Sequence, residues 1–298
     1  MIRFRAPAKL NLYLRVLGRR PDGYHEIETL FERIDLADEL TIEAHPDRLL
    51  LTCTDPALSC GEDNLVLKAA RVLQQVSGTS RGASLHLLKR IPIAAGLGGG
   101  SSDAAAALLG LNQLWGLGLG PGRLQELAAT LGSDVPFFLC ESPWAIGRGR
   151  GETCEPLESS RQLAQVLVVP DAALSTKEIY AASRFGLTAS APSISMIRHA
   201  FSNGPALAGL AQGLWNDLEP EAIRRCPVIS VIQTHLRDLG CLGTRVSGSG
   251  PAVFGLCRDA RHAQRVAEAM HAQAAPGWRV ELAQTDHLSR VVTPARIS

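Results

Sequence analysis

The sequence predicts an α+β fold in two domains, and three observations carry that expectation. Stretches of period two and stretches of helical period are mixed along the chain rather than strictly alternating. The chain has 298 residues, more than one average domain holds. A stretch rich in Gly, Ser, Arg and Glu over 142–160 interrupts the apolar pattern, so the division is expected between 1–158 and 159–298.

The elements follow in order. Leu10, Leu12, Leu14 and Val16 alternate with Asn11, Tyr13 and Arg15, the pattern of a strand with one apolar face. Lys9, Asn11 and Tyr13 share its other face. Further strands are expected at 39–44, 48–54 and 83–90. Between them Leu65, Ala69, Val72, Leu73 and Val76 recur at helical spacing, with Gly78 as the stop. Ala104, Ala107, Leu108, Leu111 and Trp115 mark one face of a second helix. Pro121 opens a third, which closes near Gly132. The apolar run 137–140 reads as a strand. In the second half, 163–169 reads as a buried strand, and Val228, Val231, Ile232, Leu236 and Leu239 as a helix capped by Gly240. The turn Ser247-Gly248-Ser249-Gly250 precedes an apolar run at 252–257. Ala263, Val266, Ala267 and Met270 form a helical stripe, and 279–283 a last strand.

Composition narrows the function. Hydrophobic residues make up 46% and charged residues 20%, ordinary for a globular protein. The formal net charge of +1 lacks the basic excess of a nucleic-acid binder, so no nucleic-acid partner is expected. No segment approaches the ~18 consecutive apolar residues that span a bilayer, and no apolar signal core follows Met1. The expectation is therefore a cytoplasmic protein without a membrane partner, a monomer or weak homodimer. The cysteines at 53, 60, 140, 154, 226, 241 and 257 form no C-x-x-C pair and read as reduced structural thiols.

The sharpest local signal is Pro92-Ile93-Ala94-Ala95-Gly96-Leu97-Gly98-Gly99-Gly100-Ser101-Ser102-Asp103. Glycine permits positive φ and close approach of a ligand to the backbone. The serines suit a helix N-cap. A helix that starts here turns its open N–H groups and the positive end of its dipole toward the loop, where a phosphate binds well. The hydroxyls and Asp103 could reach a Mg²⁺ carried by that phosphate. The bland alternative is a tight strand-to-helix turn without a ligand. The loop is not a Walker A motif, because no Gly-Lys-Ser/Thr follows, and Ser101 breaks G-x-G-x-x-G.

The stretch 92–106 resembles the phosphate loop of the GHMP kinases, the family of galactokinase, homoserine kinase, mevalonate kinase and phosphomevalonate kinase. Pro7-Ala8-Lys9-Leu10-Asn11-Leu12 and Pro21-Asp22-Gly23-Tyr24-His25 are similar to one branch of it, whose acceptor alcohol carries a cytidyl diphosphate. Leu131-Gly132-Ser133-Asp134-Val135-Pro136-Phe137-Phe138 resembles that branch's catalytic-aspartate segment. Arg245-Val246-Ser247-Gly248-Ser249-Gly250-Pro251-Ala252-Val253-Phe254 resembles the family's third glycine motif. The resemblance covers nearly the whole chain. It implies a two-domain GHMP architecture: an N-terminal domain like the second domain of ribosomal protein S5, then a ferredoxin-like domain. It also implies ATP with Mg²⁺ as phosphoryl donor and a small-molecule cytidyl diphosphate substrate as acceptor.

Roles are implied residue by residue. Asp134 becomes the general base and Lys9 the ammonium that steadies the developing alkoxide, with Asn11 orienting either group. Tyr24 and His25 would hold the cytosine, and Tyr180, in the segment with Thr176, would cover its other face. Asn64 falls in the adenine-contacting segment, and Lys89 could neutralise nucleotide charge. Pro92, Ala94, Ala95, Gly96, Leu97, Gly98, Gly99, Gly100, Ser101, Ser102 and Asp103 would cradle the phosphates, with Ser101 and Asp103 as candidate Mg²⁺ ligands. Some members of the branch carry Asn where Asp103 stands. Gly248 and Ser249 would close over the acceptor through backbone amides. Each residue also has a plainer reading: Asp134 a turn residue after the cap Gly132, Asn64 a helix N-cap, Lys89 a surface lysine, Tyr180 a packing residue. Rival classes are another GHMP kinase, a serine hydrolase, for which G-x-S-x-G is lacking, and a catalytically silent nucleotide-binding module.

Overall fold

Two long strands, β1 (Ile2–Arg19) and β2 (His25–His45), form an antiparallel hairpin around which the molecule is built. Its turn is closed by Gly23, whose φ of 87° a side chain would strain. The computed structural model describes residues 1–183, 191–203, 207–288 and 291–292. β3 (Leu49–Cys53) runs parallel to β4 (Gly82–Leu88), and β4 pairs with β2. The crossover between them is α1 (Leu65–Ser77), capped by Asn64 and ended by Gly78 in the left-handed region. α2 (Gly99–Trp115) and α3 (Pro121–Leu131) follow. Phe4, Leu40, Ile42, Leu85 and Leu87 of the sheet meet Leu73, Ala107, Leu111 and Leu127 of these helices in one apolar core.

One expectation is corrected in the next stretch. The run 137–140 is no strand: 137–139 belong to a single 3₁₀ turn, Pro136–Leu139, and Cys140 ends it. Pro136 has no N–H to give a ladder, and Phe137 stacks on Phe31 with ring centres 4.8 Å apart. The glycine-rich 142–160 stretch carries a hairpin on the first sheet, β5 (Trp144–Arg148) paired with β2 and β6 (Thr153–Pro156) paired with β5. Gly149 and Gly151, at φ 71° and 110°, make its turn.

The second half opens with β7 (Ala164–Val169), then α4 (Thr176–Ala182), α5 (Ile194–Asn203) and α6 (Leu207–Gly213). β8 (Trp215–Asn216), α7 (Glu219–Arg225), α8 (Val228–Asp238), β9 (Gly243–Val246) and β10 (Val253–Cys257) come next. α9 (Ala260–Gln273), β11 (Arg279–Gln284) and β12 (Val291–Val292) complete the series. β11, β7, β10 and β9 form a second, wholly antiparallel sheet in that order. Numbered along the chain the order is 4-1-3-2, the ferredoxin-like arrangement, with α8 and α9 packed on it. β8 and β12 instead join the first sheet, both on β1.

β1 links the cores. Its Phe4 and Ala6 lie in the helix-covered core, Ala8 through Tyr13 supply apolar residues to the core between the sheets, and Leu14 and Val16 reach the core of the second sheet. A bulge makes this possible. The register with β2 shifts between Asn11 and Tyr13, which turns Tyr13 onto the side of Leu10 and Leu12. Tyr13 therefore does not share the face of Lys9 and Asn11. It is buried, and its hydroxyl donates to the Pro192 carbonyl at 2.8 Å.

Candidate active site

The residues singled out from the sequence converge on one cavity of about 1620 Å³. All of them line it except Ser102, which is buried. That volume exceeds the range usual for one small-molecule ligand and suits two.

Its floor is the start of α2. Gly98 is the N-cap, at φ 70° in the left-handed region, and no side chain caps the helix. The serines, expected as caps, lie inside the first turn instead. Only glycine takes this φ at little cost, and the helix start moves accordingly. The first helical bond in this turn runs from the Ser102 amide to the Gly98 carbonyl at 2.9 Å. The amides of Gly99, Gly100 and Ser101 precede it, have no helical carbonyl to bond, and belong to cavity-lining residues. Ala94 holds φ 53°, a strained value for a residue with a side chain.

Lys9 reaches the cavity from below the loop. Its amide donates to the Leu97 carbonyl at 2.9 Å. A Cβ on Gly98 would stand 2.9 Å from Lys9 Cγ, so glycine is what lets the loop lie on the lysine stem. Lys9 Nζ donates to Asn11 Oδ1 and stands 3.5 Å from Asp134 Oδ2. Asn11 Nδ2 donates to Thr29 Oγ1 at 2.8 Å, and Thr29 Oγ1 donates to the Tyr13 carbonyl at 2.6 Å. The Asn11 amide group is therefore fixed with its oxygen toward Lys9. Asp134 sits in the turn between α3 and Pro136–Leu139, held there by the packing of Phe137 and Phe138.

Other candidates have settled partners. Asn64 Oδ1 accepts from the Val66 amide at 2.9 Å and its Nδ2 donates to the Ser59 carbonyl at 2.7 Å, so the side chain caps α1 at the cavity wall. Lys89 is not a surface lysine: its side chain is 5% exposed and donates to both Asp38 and Asp103. Burial works against the Lys89 charge, but the two carboxylates outweigh it and hold the ammonium protonated. Burial raises the Asp103 carboxyl well above the carboxylate range; Lys89 pulls it down and Asp38 pushes it up. Thr176 Oγ1 and Ser249 Oγ are 2.8 Å apart, which ties the start of α4 to the third glycine turn. Also on the cavity lining, the rings of His25 and Tyr180 stack, centres 5.2 Å apart at 28°. Burial lowers the His25 pKa, with Arg19 adding to it, so the imidazole is neutral at pH 7. Burial raises the Tyr180 phenol pKa.

Several residues escape sequence reading. Asn216 Nδ2 donates to the Val246 and Gly248 carbonyls, 2.8 Å each, and shapes the third glycine turn. Ser247 Oγ donates to the Gly96 carbonyl at 3.1 Å, joining the two glycine loops. Arg150 lines the cavity with its guanidinium 4.7 Å from the Tyr24 ring centre. Asp38 holds Lys89. Ser247 falls within the third glycine motif, but its link to Gly96 leaves no mark there; Asn216, Arg150 and Asp38 are single polar residues that no spacing marks.

A helix start with open amides, a lysine and aspartate 3.5 Å apart and a stacked His25–Tyr180 pair, all on one cavity, are the parts a small-molecule kinase needs. The chain matches the GHMP kinase N-terminal domain over 64–142 and the GHMP kinase C-terminal domain over 197–276, and it belongs to that family. It is 44% identical over 263 residues to 4-diphosphocytidyl-2-C-methyl-D-erythritol kinase of Pelotomaculum thermopropionicum, covering 88% of this chain and 91% of the relative. It is 40% identical to the enzyme of the same name from Gloeobacter violaceus, covering 95% and 94%. A crystal structure of 4-(cytidine 5'-diphospho)-2C-methyl-D-erythritol kinase superposes with a TM-score of 0.78 at 38% identity, over 95% of this chain and 98% of that one. Homoserine kinase from Cytophaga hutchinsonii shares the fold, with a TM-score of 0.77 at 19% identity over 96% and 94%. GHMP kinases use ATP as phosphoryl donor.

Proposed function

We infer that this chain transfers the γ-phosphoryl group of ATP to the 2-hydroxyl of 4-diphosphocytidyl-2-C-methyl-D-erythritol, a step of the non-mevalonate route to isoprenoid precursors. The observation that carries the reading is the Lys9–Asp134 pair, 3.5 Å apart, lining the same cavity as Gly99 to Ser101 and as Tyr24, His25 and Tyr180.

Phosphoryl transfer is mainly positioning and charge stabilisation. In this reading Pro92 to Ser102 cradle the ATP phosphates and Asn64 borders the adenine. Asp134 takes the acceptor's hydroxyl proton as that oxygen bonds to the γ-phosphorus, and the bridging oxygen leaves with ADP. Lys9 stabilises the charge that develops on the attacking oxygen. Tyr24, His25 and Tyr180 hold the cytosine, while Thr176, Gly248 and Ser249 close the acceptor side. Mg²⁺ would neutralise phosphate charge. The donor set suits an ion carried on the nucleotide, since Asp103 Oδ1 has no hydrogen-bond partner and Ser101 lines the cavity. Among the described residues no cluster of three or more His, Cys, Asp or Glu could cage a metal. Lys89, bound to two carboxylates, contributes through them. The division into 1–158 and 159–298 belongs to the same reading, supported by the separate ferredoxin-like sheet that begins at β7. So does a cytoplasmic site of action, supported by the small, charged acceptor; no described helix is long and apolar enough to cross a membrane.

The test is ADP release from Mg-ATP with 4-diphosphocytidyl-2-C-methyl-D-erythritol, homoserine and mevalonate side by side. Turnover with the cytidyl substrate alone is expected. Turnover with another acceptor would retain the family and discard the substrate.

A further inference from the structure

Asp38 lies outside every motif and does not line the cavity, yet it holds the base of the phosphate loop. The β2–β4 ladder ends at the pair Glu39–Leu88. One residue beyond, side chains continue it. Asp38 Oδ1 accepts from the amides of Arg90 at 2.5 Å and Ile91 at 2.8 Å, and Oδ2 accepts from Lys89 Nζ. The same ammonium donates to Asp103 Oδ2 at 2.9 Å, within the second half of the motif. The side chains of Asp38, Lys89 and Asp103 are 0%, 5% and 2% exposed. The chain leaves this triad at Ile91, passes through 92–98, and returns to it at Asp103.

Lys89 stands beneath the helix start: a Cβ on Gly99 would lie 3.3 Å from its Nζ and 3.1 Å from Ile91 Cγ2. A cation at a helix N-terminus opposes the dipole, and the two carboxylates offset that. Charge-assisted bonds in a buried setting are short and strong, so they set the separation of the groups they join. Here the groups joined are the two ends of the loop.

We propose that Asp38 is a positioning residue for the nucleotide: through Lys89 and Asp103 it fixes the spread of the 92–98 loop, and so the phosphate site, without touching the ligand. The proposal rests on reading that loop as the ATP site.

The experiment titrates a non-hydrolysable ATP analogue into the wild type, Asp38→Asn, Lys89→Met and the double variant, and measures KM for ATP and for the acceptor separately. The side chain introduced by Asp38→Asn keeps an acceptor oxygen for the two backbone amides but presents no second acceptor to Lys89. Asp38→Asn is expected to weaken nucleotide binding about tenfold and to raise KM for ATP by the same factor. KM for the acceptor, and kcat at saturating ATP, should stay within about twofold of wild type. The double variant should bind no more weakly than the weaker single, since both cut one linkage. Unchanged nucleotide affinity in Asp38→Asn, or an equal loss in the acceptor's KM and in kcat, overturns the proposal. Should Asp38→Asn not fold, Asp38→Glu keeps the charge but lengthens the side chain and displaces Lys89, and KM for ATP is expected to rise without an equal rise for the acceptor; normal nucleotide binding there overturns the proposal too. A wild type that binds no nucleotide removes the ATP site itself and this inference with it, an outcome distinct from equal binding in wild type and variant.

Discussion

The Lys9 ammonium and the Asp134 carboxylate stand 3.5 Å apart, the lysine side chain 4% exposed and the aspartate 32%. The cation is locked by Asn11 and by the backbone bond to Leu97, while the carboxylate can still meet an incoming hydroxyl. A fixed charge costs no reorganisation when the transition state forms. Asp134→Asn keeps the shape but removes the base, and kcat should fall on the order of 10²–10⁴ with KM for ATP little changed. Steady-state kinetics decide it, and unaltered turnover would remove Asp134 from the reaction.

The His25 and Tyr180 rings are already in contact, 5.2 Å between centres. A base held between two rings needs roughly 7 Å, twice a normal contact. In the proposed reading the cytosine parts these rings or stacks between Tyr180 and Tyr24, which is 53% exposed. Either way Tyr180→Ala loses one stacking face. Its KM for the acceptor should rise about tenfold or more, with KM for ATP and kcat near wild type. A matching rise in both KM values would assign Tyr180 to packing alone.

These residues also show what a sequence can and cannot disclose. The glycine loop, Lys9, Asp134 and the Tyr24-His25 pair are legible because each sits in a compact motif. The strand ends are less so: β2 runs from His25 to His45, yet only 39–44 shows alternation, because Thr29, Glu32 and Arg33 are buried polar residues with specific partners. Alternation places Tyr13 on the wrong face because a bulge leaves no mark in such a pattern. Asp38, Ser247 and Asn216 act across long sequence separations through single hydrogen bonds, which periodicity does not register.

Glu32 provides a pH dependence of stability. It is wholly buried between the sheets, where Oε2 accepts from Gln165 Nε2 at 2.6 Å and Oε1 from Thr285 Oγ1 at 2.7 Å. Burial outweighs these bonds and pushes its pKa up to about 8. The folded state thus keeps a proton that the unfolded chain releases near pH 4.5. Between these values the unfolded state binds fewer protons, so stability falls as pH rises, by up to about 1.4 kcal/mol per unit, and levels off above pH 8. Glu32→Gln should flatten this slope and be the more stable form at about pH 9. Denaturant unfolding at roughly pH 5, 7 and 9 measures it. Parallel curves for the two proteins would mean that Glu32 is ionised when folded.

Gly96 and Gly118 share a left-handed backbone, φ 80° and 66°, but not an environment. A Cβ on Gly118 meets nothing within 4 Å, whereas one on Gly96 would stand 2.1 Å from the Ser247 carbonyl oxygen. That contact is backbone against backbone, so no rotamer relieves it. The loop around Gly96 is also bonded to the third glycine turn, through Ser247 Oγ to the Gly96 carbonyl and through the Ala252 amide to the Ala95 carbonyl at 3.2 Å. Moving either backbone strains both links. Gly118→Ala should therefore cost only the left-handed conformation, about 1 kcal/mol, with catalysis intact. Gly96→Ala should cost that and more, and it should also weaken ATP binding by forcing the phosphate loop off the turn behind it. Thermal unfolding and nucleotide titration of the two variants, run together, separate the terms. Equal effects would mean that the two loops yield freely to one another, and that the close approach of Gly96 to Ser247 does not set the shape of the site.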